Sequence, residues 1–131
     1  MATENLGRTQ TYVAGADLSS HQFGLVMYGT TEGEVIVATA ASEAFGILMN
    51  NPEDGKLATV LTRPGVKARL RIGAAVTFKD AIESDADGEG ITLTRDGDGN
   101  TETFLVGYAE EDGDGADEII TIRTVFAPTS K

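Results

Sequence analysis

The chain has no cysteine and no tryptophan, and it contains a single histidine, His21. Without cysteine it has no disulfide, no thiolate zinc site and no cysteine nucleophile. Aromatic residues make up 6% of its 131 residues, so the core must consist mainly of Val, Ile, Leu and Ala, with five Phe. A protein built within these limits that must withstand harsh conditions relies on oligomerisation or on a partner surface.

Basic residues are also scarce: 10 Lys and Arg stand against 21 Asp and Glu, which gives a net charge of −11. Such a charge repels nucleic acids and anionic lipids, so we expect no nucleic-acid partner and no membrane partner. No segment approaches the ~20 apolar residues that span a bilayer, and the polar residues 1–10 do not form a signal peptide. We therefore expect a soluble protein that is made in the cytoplasm.

Glycine, in contrast, is abundant at 16 positions and divides the chain into short segments. Segments 34–39 and 119–126 are rich in β-branched residues and lack a 3.6-residue apolar period, which favours strands over helices. Short strands between Gly/Asp turns predict an all-β fold, a small compact barrel or sandwich with at most one short helix. The candidate for that helix is a single turn around Lys79–Ile82, within segment 74–84. The predicted strands lie near Phe23–Tyr28, Glu34–Thr39, Phe45–Met49, Leu57–Leu61, Val66–Ile72, Ala75–Phe78, Ile91–Thr94, Phe104–Tyr108 and Glu118–Phe126.

The length of the chain corresponds to one ordinary domain. Its first residues are polar and show no apolar pattern, which is typical of a flexible terminal segment. The sequence therefore predicts an N-terminal arm at 1–11, a single β domain at 12–127 and a C-terminal tail at 128–131.

Charge is segregated along the chain. Residues 63–71 carry four bases and no acid, whereas residues 80–118 carry 14 acids and one base. In 66–72 apolar and basic residues alternate, so Lys67, Arg69 and Arg71 are expected on one face of a strand. This basic stripe is either a solvated strand face or a contact surface for acidic loops of a neighbouring copy or a larger partner.

Catalytic residues are not predicted. His21 follows two serines, but neighbouring residues in a loop do not thereby form a base and nucleophile pair. The acids cluster in glycine-rich turns, where we expect solvated carboxylates with ordinary pKa values rather than a glycosidase pair. An acidic esterase- or glycosidase-like enzyme is thus a weak alternative, and no cofactor is predicted.

Calcium is the one metal that the sequence brings into consideration. Asp85, Asp87 and Glu89 occupy positions 1, 3 and 5 of an EF-hand-like loop, and Asp96 falls at position 12 in place of the bidentate Glu. Because Asp-x-Asp-Gly is also a common hairpin turn, we predict no metal site. An acidic β-domain module that binds calcium or a carbohydrate remains an alternative function, although carbohydrate sites usually need more exposed aromatic residues.

Several phrases of the sequence occur in a characteristic succession. They are Gly-Ala-Asp-Leu-Ser at 15–19, Phe-Gly-Ile-Leu-Met-Asn-Asn-Pro-Glu-Asp-Gly at 45–55, Pro-Gly-Val at 64–66 and Ser-Asp-Ala-Asp-Gly at 84–88. This succession resembles the capsid decoration (cement) proteins of tailed phages. The resemblance extends over residues 12–88 and fades beyond them.

The resemblance implies a structural virion protein that binds the outer capsid surface and stabilises contacts between major capsid protein subunits. It further implies a homotrimer that passes through the host cytoplasm during assembly. The arm is expected to order on binding by adding a strand to a capsid sheet edge. Together, the arm and the basic stripe give the predicted partner-binding residues Thr3, Asn5, Arg8, Tyr12, Lys67, Arg69 and Arg71.

Overall fold

The computed structural model describes residues 9–95, 97 and 101–131, and these form ten β-strands without a helix. The first five strands are β1 (Thr9–Ala14), β2 (Leu25–Tyr28), β3 (Glu34–Val37), β4 (Gly46–Leu48) and β5 (Leu57–Leu61). The second five are β6 (Lys67–Arg71), β7 (Ala81–Ser84), β8 (Gly90–Thr92), β9 (Glu102–Ala109) and β10 (Ile119–Ser130). The described part of the chain holds no long apolar helix of the kind that would cross a membrane.

The first five strands close into a barrel in the order β1-β3-β2-β4-β5. The strand β1 closes it, because it runs antiparallel to β5, with Thr9 opposite Leu61, and parallel to β3 at Val13 and Ala14. Closure pairs strands that would otherwise present open edges.

The other five strands form an open sheet in the order β6-β10-β9-β7-β8. Its longest strand, β10, has 12 residues and pairs antiparallel with both β6 and β9. The pairing with β9 shifts between Thr124 and Ala127, where Phe126 adopts a φ of 52°. The sheet therefore has two edge strands, β6 and β8.

Two apolar clusters hold these parts together. The barrel interior is filled by Ala14, Leu18, Val26, Val35, Leu48, Ala58 and Val60. A larger cluster, which we call the shared core, joins barrel residues such as Ile47 to sheet residues such as Ile72 and Ile122. The strand β4 is buried along its whole length, because Leu48 faces the barrel interior while Ile47 faces the shared core.

The structure confirms the all-β fold, but the predicted helical turn at Lys79–Ile82 is wrong. Lys79 has a φ of 80°, and Asp80 Oδ2 accepts the backbone N–H of Thr77 at 2.9 Å, so these residues form a tight turn that leads into β7. The predicted strand at Ala75–Phe78 is absent too, because Val76 makes only an isolated bridge to Gly113.

At the two ends of the domain the strands extend beyond the predicted boundaries. The strand β1 begins at Thr9, inside the predicted arm, and β10 runs through the predicted tail as far as Ser130. The remainder of the arm, 1–8, lies outside the described residues.

The glycine at position 107 is where the backbones of β9 and β10 come closest. A Cβ there would overlap the backbone carbonyl oxygen of Arg123, whereas a Cβ at Gly115 would meet nothing within 4 Å. We expect Gly107→Ala to destabilise the protein by roughly 1–3 kcal/mol through overpacking, and Gly115→Ala to leave stability nearly unchanged. Chemical denaturation followed by circular dichroism measures the stability of both variants. Equal stabilities would show that β9 and β10 accommodate the added Cβ without a loss of stability.

Candidate functional site

A groove of about 410 Å³ runs between the barrel and the edge strand β6. We call it the β6 groove, and it is lined by Thr9, Met49, Leu61, Lys67, Ala68, Arg69 and Thr121. Leu61 and Ala68 are buried and form an apolar floor, while Lys67 and Arg69 are exposed at the rim. The site thus combines an apolar surface with two cations.

The alternating sequence of β6 produces this arrangement. Ala68 and Leu70 point into the shared core, so the pleat directs Lys67 and Arg69 to the opposite face. Pairing with β10 places Arg69 opposite Thr121 and Lys67 opposite Arg123. The alternation predicted from the sequence is therefore present in the strand.

The cations at the rim of the groove have no anionic partner among the described residues. Arg123 lies 3.4 Å from Glu110, and Lys131 lies 3.1 Å from the buried Glu83. Among residues 9–95, 97 and 101–131, no carboxylate lies within ion-pair distance of Lys67 or Arg69. The two side chains are thus available to an external anion.

Arg71, the third member of the predicted basic stripe, makes contacts inside the molecule. Its Nε donates to the Gln22 carbonyl at 3.4 Å, and its backbone N–H donates to the Phe23 carbonyl at 2.8 Å. The side chain is half-buried. Arg71 therefore connects one end of β6 to the loop before β2, away from the open groove.

Tyr12, another predicted binding residue, lies at one end of the barrel. Its ring packs edge-to-face against Phe45 and Tyr28, with centroids 5.4 Å and 6.3 Å away. Burial raises the pKa of the Tyr12 hydroxyl, and Tyr28 adds to the rise. Phe45 and Tyr28 in turn stack at 4.1 Å, so the three rings form one aromatic cluster, and Tyr12 does not line the β6 groove.

The remaining predicted site residues, Thr3, Asn5 and Arg8, lie outside the described residues. Thr9, however, belongs to the predicted arm and lines the β6 groove together with Lys67 and Arg69. The two regions that the sequence singled out are therefore adjacent. The other lining residues were not predicted as part of a site, because most of them lie in segments far apart in the chain; they are Met49, Leu61, Ala68 and Thr121.

The acidic turns owe their order to carboxylates that accept backbone hydrogen bonds. Asp85 Oδ1 accepts the N–H groups of Asp87 and Glu89 at 2.8 and 2.9 Å, which closes the hairpin turn between β7 and β8. In the described ranges no three His, Cys, Asp or Glu side chains are grouped as metal ligands. Asp96, the last position of the EF-hand-like pattern, falls outside those ranges.

The loop between β9 and β10 is built in the same way. Asp112 Oδ1 accepts the N–H of Phe78, and Glu111 Oε2 accepts the N–H of Thr121, both at 2.8 Å. Glu118 accepts the N–H of Asp114 at 2.6 Å. These carboxylates are therefore engaged within their own subunit.

Glu89 differs from the expectation of ordinary pKa values in the turns. Burial raises the pKa of Glu89 to about 6, and the neighbouring Asp117 and Asp85 add to the rise, whereas Arg71 opposes it. Its buried Oε2 has no hydrogen-bond partner within the described ranges. The expectation was thus wrong for this residue.

The loop before β2 contains Asp17, Ser19 and His21. Asp17 Oδ1 accepts the N–H of Ser19 at 3.0 Å, and hydrogen bonds from Ser19 lower the pKa of Asp17. In the part of the chain that the structure describes, no hydrogen bond joins the His21 imidazole to a serine hydroxyl. The Asp17 carboxylate therefore accepts hydrogen bonds from Ser19, and the described residues of this loop form no Asp–His–Ser arrangement.

A second cavity of about 540 Å³ lies near the end of β10. It is lined by Ala41, Glu43, Glu102, Thr103, Phe104, Pro128, Thr129 and Ser130. Its two carboxylate residues, Glu43 and Glu102, are both exposed. None of these lining residues is a cation, and Arg95 beside them donates to Thr129 and Ser130, so the β6 groove is the stronger candidate site.

Comparison with solved structures shows a likeness of fold. The chain is similar to the head fiber gp8.5 N base of bacteriophage phi29, with a TM-score of 0.70 and 17% sequence identity, over 94% of this chain and 98% of that chain. No protein-family model and no curated protein matches the sequence. At this identity the likeness establishes the fold alone.

The raised pKa of Glu89 predicts a specific pH dependence of stability. The folded state favours the protonated carboxyl of Glu89. The stability that this preference contributes is fully present below the usual pKa of 4.5 and is lost as pH rises through about 6. We expect Glu89→Gln, which stays neutral, to gain stability relative to the unmodified protein over this window. Urea denaturation at a series of pH values measures the difference.

A second variant tests the cause. Asp117→Asn removes the neighbouring charge, and Asn tolerates the φ of 70° at this position. Asp117→Asn should narrow the pH range over which Glu89→Gln gains stability, because one source of the raised pKa of Glu89 disappears. A Glu89→Gln effect that is constant from pH 4.5 to 7 would contradict the assignment.

Proposed function

We propose that this protein is a structural component of a phage virion. In this role it binds the outer surface of the capsid and stabilises contacts between neighbouring major capsid protein subunits. The fold likeness to a phage head fiber base, over nearly the whole of both chains, supports a structural role in a virion. A fold alone does not specify a function, so capsid binding depends on the chemistry of the β6 groove.

The observation that carries the proposal is the pair of cations beside the apolar floor. In a chain of net charge −11, Lys67 and Arg69 have no intramolecular carboxylate partner among the described residues. Leu61, Ala68 and Met49 give the groove an apolar lining beside these cations. Such a surface fits an acidic and partly apolar protein partner, because complementary charge favours association and fixes orientation.

The position of Thr9 supports binding through the same face. Because Thr9 lines the groove, an arm that begins there reaches a surface bound at Lys67 and Arg69. We propose that Thr3, Asn5 and Arg8 bind the capsid by adding a strand to a sheet edge, and that Tyr12 anchors the base of the arm. A homotrimer would present three such faces, and linked binding sites raise the overall affinity without new contacts.

In this proposal the protein is made in the host cytoplasm, resides on the outer capsid surface and binds neither nucleic acid nor membrane. The test is light scattering after size exclusion, with and without emptied, expanded capsid shells of the parent phage. Co-elution with the shells at a fixed stoichiometry is the expected result. Failure to bind at every salt concentration would refute the proposal.

Charge reversal in the groove gives the corresponding variant. The double change Lys67→Glu with Arg69→Glu should weaken binding to shells at least about tenfold, because repulsion replaces two ion pairs with acidic groups of the capsid. Lys56→Glu is the matched control, since Lys56 is exposed and directly precedes Leu57, at the end of β5 opposite Leu61. Unchanged binding of the double variant, at unchanged stability, would place the contact on another face.

A further inference from the structure

The edge of β6 presents unpaired backbone groups to the β6 groove. Antiparallel pairing directs alternate residues to the partner strand. The Thr124 N–H donates to the Val66 carbonyl and the Ile72 N–H donates to the Glu118 carbonyl, which sets this alternation between β6 and β10. The backbone groups of Lys67 and Arg69 therefore point away from β10.

The far end of this edge is already occupied. The Arg71 N–H donates to the Phe23 carbonyl at 2.8 Å. No described strand other than β10 pairs with β6, and no backbone bond of Lys67 or Arg69 to another described segment is present. The free part of the edge is therefore short, and it coincides with Lys67 and Arg69, whose side chains have no carboxylate partner in the described part of the chain.

The groove on this side has the chemistry of a strand-binding site. Its floor at Leu61 and Ala68 is apolar, and Met49 lies beside them. A strand added to an edge directs alternate side chains to opposite faces. One set would meet this apolar floor, and the other would lie beside Lys67 and Arg69.

We propose that the free edge of β6 accepts an extended acidic segment of the protein partner as an added strand. Its backbone pairs with Lys67 and Arg69, its acidic side chains lie beside their cations, and its intervening apolar side chains cover Leu61 and Ala68. The partner sequence recognised is thus a short alternation of acidic and apolar residues. This inference rests on the proposed function only in identifying the partner as a capsid subunit.

A second copy of this chain is the less suitable occupant. The acidic loop between β9 and β10 is the obvious internal source, but Glu111, Asp112 and Glu118 already accept backbone hydrogen bonds in their own subunit. Pairing of two β6 edges would bring Lys67 and Arg69 of both copies together, and charges on an edge strand oppose such self-association. Charge complementarity therefore favours an acidic segment from outside.

The first experiment uses the intact protein and a capped eight-residue peptide that alternates Glu and Val. Amide hydrogen exchange measured by NMR should slow at least about tenfold at Lys67 and Arg69 when the peptide binds. The control is the same peptide with alternate amides N-methylated on its pairing edge, which keeps the charge and removes the donors. Equal binding of both peptides, or peptide binding without protection at these two amides, overturns the inference.

The second experiment separates this inference from the proposed function. Hydrogen exchange of segment 66–71 is measured by mass spectrometry on protein bound to emptied shells. Shell binding with slowed exchange supports both proposals, and shell binding with unchanged exchange overturns strand addition alone. Absence of shell binding overturns the capsid role, and the peptide experiment then decides strand addition independently.

Discussion

Contact between the barrel and the sheet through the shared core is the interaction on which the rest of the structure depends. A chain without cysteine or tryptophan joins its two halves by packing aliphatic side chains such as Ile47, Ile72 and Ile122. The β6 groove exists because this packing fixes an edge strand beside the barrel wall. The hydrophobic contact that stabilises the domain thus also positions its candidate binding surface.

The charges of the molecule have separate roles. Acidic side chains accept backbone N–H groups in the turns, as Asp85 and Asp112 do, and this offsets part of the repulsion expected at a net charge of −11. Where acids crowd together in a half-buried place, as at Glu89, the cost appears as a raised pKa. Lys67 and Arg69 form no ion pair with any carboxylate that the structure describes.

The likeness to a phage head fiber base at 17% identity shows that the fold tolerates wide changes in sequence. Two-sided burial of short strands, seen along β4, requires apolar residues of suitable size rather than particular ones. A binding surface is more demanding, since it needs charged groups at defined places. The proposed function therefore depends on the groove rather than on the shared fold.

The sequence by itself determined the all-β class, the strand Leu57–Leu61 with the bounds observed and the alternation in β6, because a two-residue period and β-branched composition are local properties. Only the tertiary structure decided that Thr9–Ala14 is a strand, since its mixed polar sequence becomes one by pairing with β5 and β3. It likewise decided that Lys67 and Arg69 adjoin Thr9. Burial and long-range pairing act between residues far apart in the chain, and no local pattern encodes them.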